Sequence, residues 1–216
     1  MKRSTIFIFA VVVLGGLFLL ATLLYKEGGK DSQTMGAADP SLLLRMHAQS
    51  LGPQDAKVHI VEFLDPACEA CRAFYPFVKQ LMASNPGRIK LTIRHVPLHK
   101  GVDSVVKVLE ASKKQGKYWQ TLEALLASQP QWVIHHEARI ELVWKHLEGI
   151  GLDLEKLRND MNAPEVERNM KQDQADADAL KVEKTPEYFV NGRRMETFGY
   201  EQLRKLVQQE LSRSYP

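Results

Sequence analysis

An α/β fold is predicted for this chain of 216 residues, and three observations predict it. Apolar runs with β-branched or aromatic residues occur at 57–64, 89–96 and 188–190, the pattern of strands covered on both faces. Between the first two runs, apolar residues recur at helical spacing. Between the last two lies a long stretch that reads as helix throughout. The order is strand, helix, strand, helical block, hairpin, helix, with one transmembrane helix placed ahead of it.

That leading segment begins Met1-Lys2-Arg3 and continues through residues 6–25 without a charge. About 20 apolar residues suffice for a helix to cross the hydrocarbon core. A cleavable signal peptide has a shorter apolar region of about 7–15 residues and a small-x-small cleavage site, whereas Leu23, Leu24 and Tyr25 stand where the small residues belong. Residues 1–26 are therefore read as an uncleaved membrane anchor. Lys2 and Arg3, against the balanced Lys26, Glu27, Lys30 and Asp31, orient the N-terminus to the cytoplasm and the rest of the chain to the far side.

The formal charge of +3 is small, and 29 basic residues are interspersed with 26 acidic ones. Nucleic-acid binding calls for a clustered basic face, and no nucleic-acid partner is expected. Residues 27–55 read as a Gly-rich tether followed by a short helix over 41–51, closed by Gly52-Pro53. That helix is expected to dock on the domain, and the chain is expected to be a monomer.

The strand over 57–64 leads into a Pro-containing turn and then a helix over 71–85, with Phe74, Phe77, Val78, Leu81 and Met82 on its apolar stripe. Asn85-Pro86-Gly87 ends it. Residues 101–181 contain Gly and Pro breaks that divide them into about five helices with no further strand. Val105, Val106, Val108 and Leu109 form one packing stripe; Trp119, Leu122, Leu125 and Leu126 form the next; Ile140, Leu142, Val143 and Leu147 form a third. Asn191-Gly192 between 188–190 and 193–197 is the preferred turn of a two-residue hairpin, and the last helix carries Leu203, Leu206, Val207 and Leu211.

The chemistry centres on the only two cysteines, Cys68 and Cys71, spaced as CxxC. A bridge across two residues closes almost no loop and stabilises little in the chain-entropy model. A zinc site wants four ligands; there is no second cysteine pair, and His95 and His99 flank Pro97. Haem attachment would need His where Arg72 stands. A redox pair is the preferred reading, since Cys68 falls at the start of a helix, where unpaired N–H groups and the dipole stabilise a thiolate. Cys71 lies one turn in, placed to resolve a mixed disulfide.

Two further residues stand out. Glu62 interrupts an apolar strand, where a buried carboxylate is costly; it either exchanges protons with Cys71 or sits at the strand's exposed end. Pro186 opens a strand, where a proline is poorly tolerated; a cis Thr185-Pro186 bond or an edge position would accommodate it.

FLDPACEACRAFYP at 63–76 and KTPEYFVNG at 184–192, with helices between, resemble the DsbA-like branch of the thioredoxin superfamily. The resemblance implies a thioredoxin fold made from 56–100 and 182–216, with 101–181 as an inserted helical domain. It implies Cys68 as nucleophile, Cys71 as resolving cysteine, Pro186 as the cis-proline beside them, and backbone groups of Thr185 holding an extended substrate segment. It implies no cofactor and no metal. The activity expected is a thiol:disulfide oxidoreductase making, breaking or rearranging disulfides in cysteine-containing exported proteins, recycled by an unidentified membrane redox partner. The expected place is a bacterial inner membrane, single-pass, with the catalytic domain periplasmic. The dipeptide Glu69-Ala70 departs from the Pro-His usual in strong oxidases, and an ionised Glu69 disfavours a neighbouring thiolate, so a lower potential is expected. The alternatives are a periplasmic Cu(I) carrier on the same fold and a peptide-binding module without redox activity.

Overall fold

The computed structural model describes residues 37–216. The expected anchor at 1–26 lies outside them, and among the described residues no helix is long and apolar enough to cross a membrane. A five-stranded sheet of order β1-β3-β2-β6-β7 forms the centre. Its strands are β1 (Gln49–Leu51), β2 (Val58–Leu64), β3 (Ile89–His95), β6 (Glu187–Val190) and β7 (Arg193–Arg194). β2 and β3 run parallel, and β6 lies antiparallel on the other side of β2.

Alternation along these strands sorts their side chains onto two faces. Val58, Ile60 and Leu64 of β2 join Ile89, Leu91 and Ile93 of β3 and Tyr188 and Val190 of β6 in one core, under helix α2 (Glu69–Ala83) and helix α8 (Tyr200–Ser214). Val61, Phe63 and Phe189 face the other way, toward Leu43, Ala177 and Val182. Glu62 has the parity of the first face. It sits opposite Tyr188 in the β2–β6 register.

The block between β3 and β6 holds α3 (Val102–Ser112), α4 (Tyr118–Ser128), α5 (Ile140–Val143), α6 (Leu154–Asp160) and α7 (Pro164–Ala179). Val105, Val106, Val108, Leu109, Leu122, Leu125, Leu126, Val143 and Leu147 are all buried, as their spacing requires. The expectation of no strand in this block fails at one place. β4 (Val133–Ile134) and β5 (Glu137–Ala138) form a small hairpin, turned by His135 and His136, both at positive φ. Neither is the Asn or Gly that usually marks such a turn.

The expected helix over 41–51 is also corrected. Helix α1 covers only Pro40–Leu43, capped by the Asp39 carboxylate accepting from the Ser41 N–H. Leu44 and Met46 are exposed, so the apolar residues do not share one face. The chain then becomes β1, which pairs antiparallel with β3 and satisfies its outer edge. At the other edge β7 is two residues long where 193–197 was expected. Asn191 and Gly192 both have positive φ, as the hairpin turn demands.

α7 seats a polar face on the sheet. The Arg94 guanidinium, fully buried, donates to Asp173 at 2.8 Å and Asp176 at 2.6 Å, and to the carbonyls of Leu42 and Leu43. Arg45 adds a two-pronged contact to Asp176 at 2.6 and 2.7 Å, and His47 approaches Asp173 at 2.6 Å. This network fastens residues 42–47 and α7 to β3.

Candidate active site

Cys68 is the N-cap of α2, with extended φ and ψ, and the helix begins at Glu69, two residues earlier than expected. Cys71 is one turn in. Cys68 is 8% exposed and Cys71 is fully buried, so Cys68 is the less enclosed of the two. Its Sγ donates to the Thr185 carbonyl at 3.2 Å. The Thr185-Pro186 bond is cis, and β6 follows immediately, one strand in from the edge. The fold thus brings Cys68, Cys71 and the Thr185-Pro186 segment together.

The two thiols are pushed apart electrostatically. The Cys68 thiol is brought down to about 6, chiefly by its contact with the Cys71 thiol, against burial, with help from the Cys71 N–H, the Thr185 side chain and the Ala70 N–H. Burial drives Cys71 the other way, well above the ordinary thiol value, and the nearby Glu62 charge reinforces it. One sulfur is disposed to be a thiolate near neutral pH and the other to hold its proton.

Glu62 is fully buried, which removes the reading of an exposed strand end. Burial raises its carboxyl to about 8, and the Tyr188 hydroxyl draws it back down. Neither Glu62 oxygen nor the Tyr188 hydroxyl reaches hydrogen-bonding geometry with any described group. Phe74 of α2 covers the Tyr188 ring at 5.9 Å. Glu69 is exposed at the first position of the helix, where solvent screens its charge, and Cys68 is depressed in spite of it. Ala70 contributes its backbone N–H.

Three residues around the pair had no role predicted from the sequence. Asp65, fully buried, accepts from the Ala67 N–H at 2.7 Å and from the Leu98 and His99 N–H groups at 2.8 and 2.9 Å, tying the turn before Cys68 to the loop after β3. Gln129 reaches the same turn from the end of α4. Tyr188 was visible only as a strand residue, because its partnership with Glu62 depends on register. Among the described residues no group of three or more His, Cys, Asp or Glu side chains is arranged to hold a metal ion.

A CxxC pair at the head of a helix, facing the peptide before a cis-proline at the start of an inner strand, is the arrangement of a thioredoxin-type thiol–disulfide protein. Residues 46–209 match the family described as Thioredoxin, and the chain belongs to that family, in its DsbA-like branch. A probable disulfide bond formation protein D of Bacillus anthracis is 29% identical over 176 residues, covering 76% of this chain and 79% of that protein. A thioredoxin-like oxidoreductase of Silicibacter pomeroyi DSS-3 superposes with a TM-score of 0.71 at 29% identity, covering 81% of this chain and 99% of the other. A Na(+)/H(+) antiporter NhaA of Herminiimonas arsenicoxydans is 29% identical over 144 residues, which is 67% of this chain. The chain spans about a fifth of the length of the antiporters it matches, 22% and 21% in two of them.

Proposed function

We propose that this chain is a thiol:disulfide oxidoreductase that works through Cys68 and Cys71 on cysteine-containing exported proteins. The observation that carries the reading is the division of labour between the sulfurs: a less enclosed Cys68 depressed to about 6, at the helix terminus and against the Thr185 carbonyl, and a fully buried Cys71 pushed upward one turn away. The apolar segment at 6–25 serves in this proposal as a membrane anchor, with the N-terminus cytoplasmic, the folded domain periplasmic, and a membrane partner that restores the redox state.

In the oxidising direction a substrate thiolate attacks Sγ of Cys68 in the disulfide form. The Cys68–Cys71 bond breaks, its electron pair goes to Cys71, and Cys71 takes up a proton. A second substrate thiolate then attacks the substrate sulfur of the mixed disulfide and releases Cys68 as a thiolate. Two electrons pass from the substrate dithiol to the pair. Reduction runs the same steps in reverse, Cys68 attacking and Cys71 resolving, and there Glu62, in the fraction of chains that hold it ionised, accepts the Cys71 proton. Thr185 offers its backbone to an extended substrate segment beside Cys68.

The test is trapping. A Cys71→Ser full chain expressed in its host accumulates mixed disulfides through Cys68 that dithiothreitol releases, and the captured proteins report substrates and direction. A purified chain that binds Cu(I) stoichiometrically but exchanges no disulfide with glutathione overturns the enzyme reading.

A further inference from the structure

We propose that Gln129 is a positioning residue for the redox pair, through which the helical block sets the properties of Cys68. This rests on Cys68–Cys71 being the working pair. Gln129 lies just beyond α4, in the short 3-10 turn Gln129–Gln131, yet its side chain is buried against the active-site turn. Its Nε2 donates to the Pro66 carbonyl at 2.8 Å and to the Cys68 carbonyl at 2.9 Å. Its Oε1 accepts from the Arg72 Nε at 3.0 Å. One amide therefore uses both donor hydrogens and its oxygen on three residues within the segment 66–72.

The arrangement has a chemical consequence beyond packing. The Cys68 carbonyl already accepts from the Arg72 N–H as the first bond of the helix, so Gln129 supplies its second donor. Two carbonyl dipoles beside the attacking sulfur are thereby held with their negative ends on amide hydrogens. Without Gln129 those oxygens lose that compensation in a buried setting, where partial charges act strongly. A thiolate on Cys68 gains negative neighbours and becomes less stable, whereas the neutral sulfur of the disulfide is affected much less. The reduced form is selectively weakened, and a dithiol whose reduced form is weakened is a poorer oxidant.

The experiment compares the full chain with Gln129→Met, which keeps length but removes donors and acceptor, and Gln129→Glu, which keeps the shape and the acceptor toward Arg72. Each is equilibrated with glutathione, its Cys68 is titrated by thiolate absorbance, and its melting temperature is taken in both redox states. The expected result is a Cys68 titration moved upward, and an equilibrium constant for reduction by glutathione lowered about threefold in Gln129→Met, roughly 14 mV for a two-electron couple. Gln129→Glu shifts further in the same direction, because it adds a negative charge, and it carries the test if Gln129→Met folds poorly. A merely structural residue lowers both melting temperatures equally and leaves titration and equilibrium constant unmoved; that outcome overturns the inference alone. A wild-type chain that fails to exchange with glutathione overturns the redox reading and this inference together.

Discussion

Glu62 and Tyr188 face each other across β2 and β6, both fully buried, and neither the carboxyl oxygens nor the phenolic hydroxyl has a hydrogen-bond partner among the described residues. Buried polar groups are nearly always paired, and these two stand side by side on the sheet face that also carries Cys71. Phe74 closes the space from above. The Glu62 charge opposes ionisation of the buried Cys71, and the charge on Cys68 in turn raises Glu62.

Replacing Tyr188 by Phe removes the one neighbour that draws Glu62 downward. The Glu62 carboxyl then titrates higher, read from its carbon chemical shift against pH. Stability changes by about 1 kcal/mol or less, the net contribution of a single hydroxyl contact. A Glu62 titration unchanged in Tyr188→Phe shows that the two groups do not communicate.

Glu62 also imposes a pH dependence on the fold. Its folded value of about 8 lies above the ordinary 4.5, so between the two the folded chain keeps a proton that the unfolded chain has lost. Its contribution is greatest below 4.5 and declines as pH rises toward 8, by up to ~1.4 kcal/mol per unit. His59 and His95, depressed to about 4 by burial, act with the opposite sign between 4 and 6.5, so the wild-type curve alone hides the effect. The difference between Glu62→Gln and wild type isolates it. From pH 5 to 7.5 that difference moves in favour of the variant by roughly 3 kcal/mol in urea denaturation; parallel curves refute the assignment.

Alkylation by iodoacetamide reports the thiolate directly. In the reduced wild-type chain the rate at Cys68 reaches half its plateau near pH 6. Cys71→Ala removes the contact that contributes most to that depression. Half-plateau moves to higher pH, and the rate at pH 6 falls about fivefold for a rise of one unit. An unmoved profile assigns the depression to the helix terminus instead.

The ion network behind the sheet predicts a large effect from one substitution. Arg94→Met leaves Asp173 and Asp176 buried without their central partner, a change that costs about 3–5 kcal/mol and appears as a lowered melting temperature. Burial opposes ionisation of Asp173, but His47 and Arg94 outweigh it and hold the carboxyl below 3.8. That contribution is present above pH 3.8 and is lost as pH falls through the lower folded value. Acid unfolding of Arg94→Met therefore begins at higher pH than in the wild type.

The central strands, the CxxC helix and the hairpin were legible because each has a local cause: β-branched runs, helical spacing under a Pro-Gly stop, and Asn191-Gly192. The cysteines and Pro186 were legible because their chemistry is uncommon. What escaped has non-local causes. β1 forms because β3 offers an open edge, which the tripeptide Gln49–Leu51 does not announce. α7 is poor in apolar residues and is held by Asp173 and Asp176, a bond to β3 that a hydrophobic pattern cannot register. Gln129 and Tyr188 are ordinary residues until register and a turn set them beside Cys68 and Glu62.

The fastening of residues 38–51 also has a mechanical side. From Ala38, whose N–H donates to the Gly192 carbonyl, through the Leu42 and Leu43 carbonyls on Arg94 to the β1–β3 ladder, successive attachments hold this stretch to the sheet. The Arg94 side chain that holds these carbonyls lies on the face away from Cys68, whereas Gln49 and Leu51 of β1 stand opposite Ile93 and Leu91 on the Cys68 face. A pull on the chain at Ala37 meets the Ala38–Gly192 hydrogen bond and the Arg94 contacts before it reaches the β1–β3 ladder.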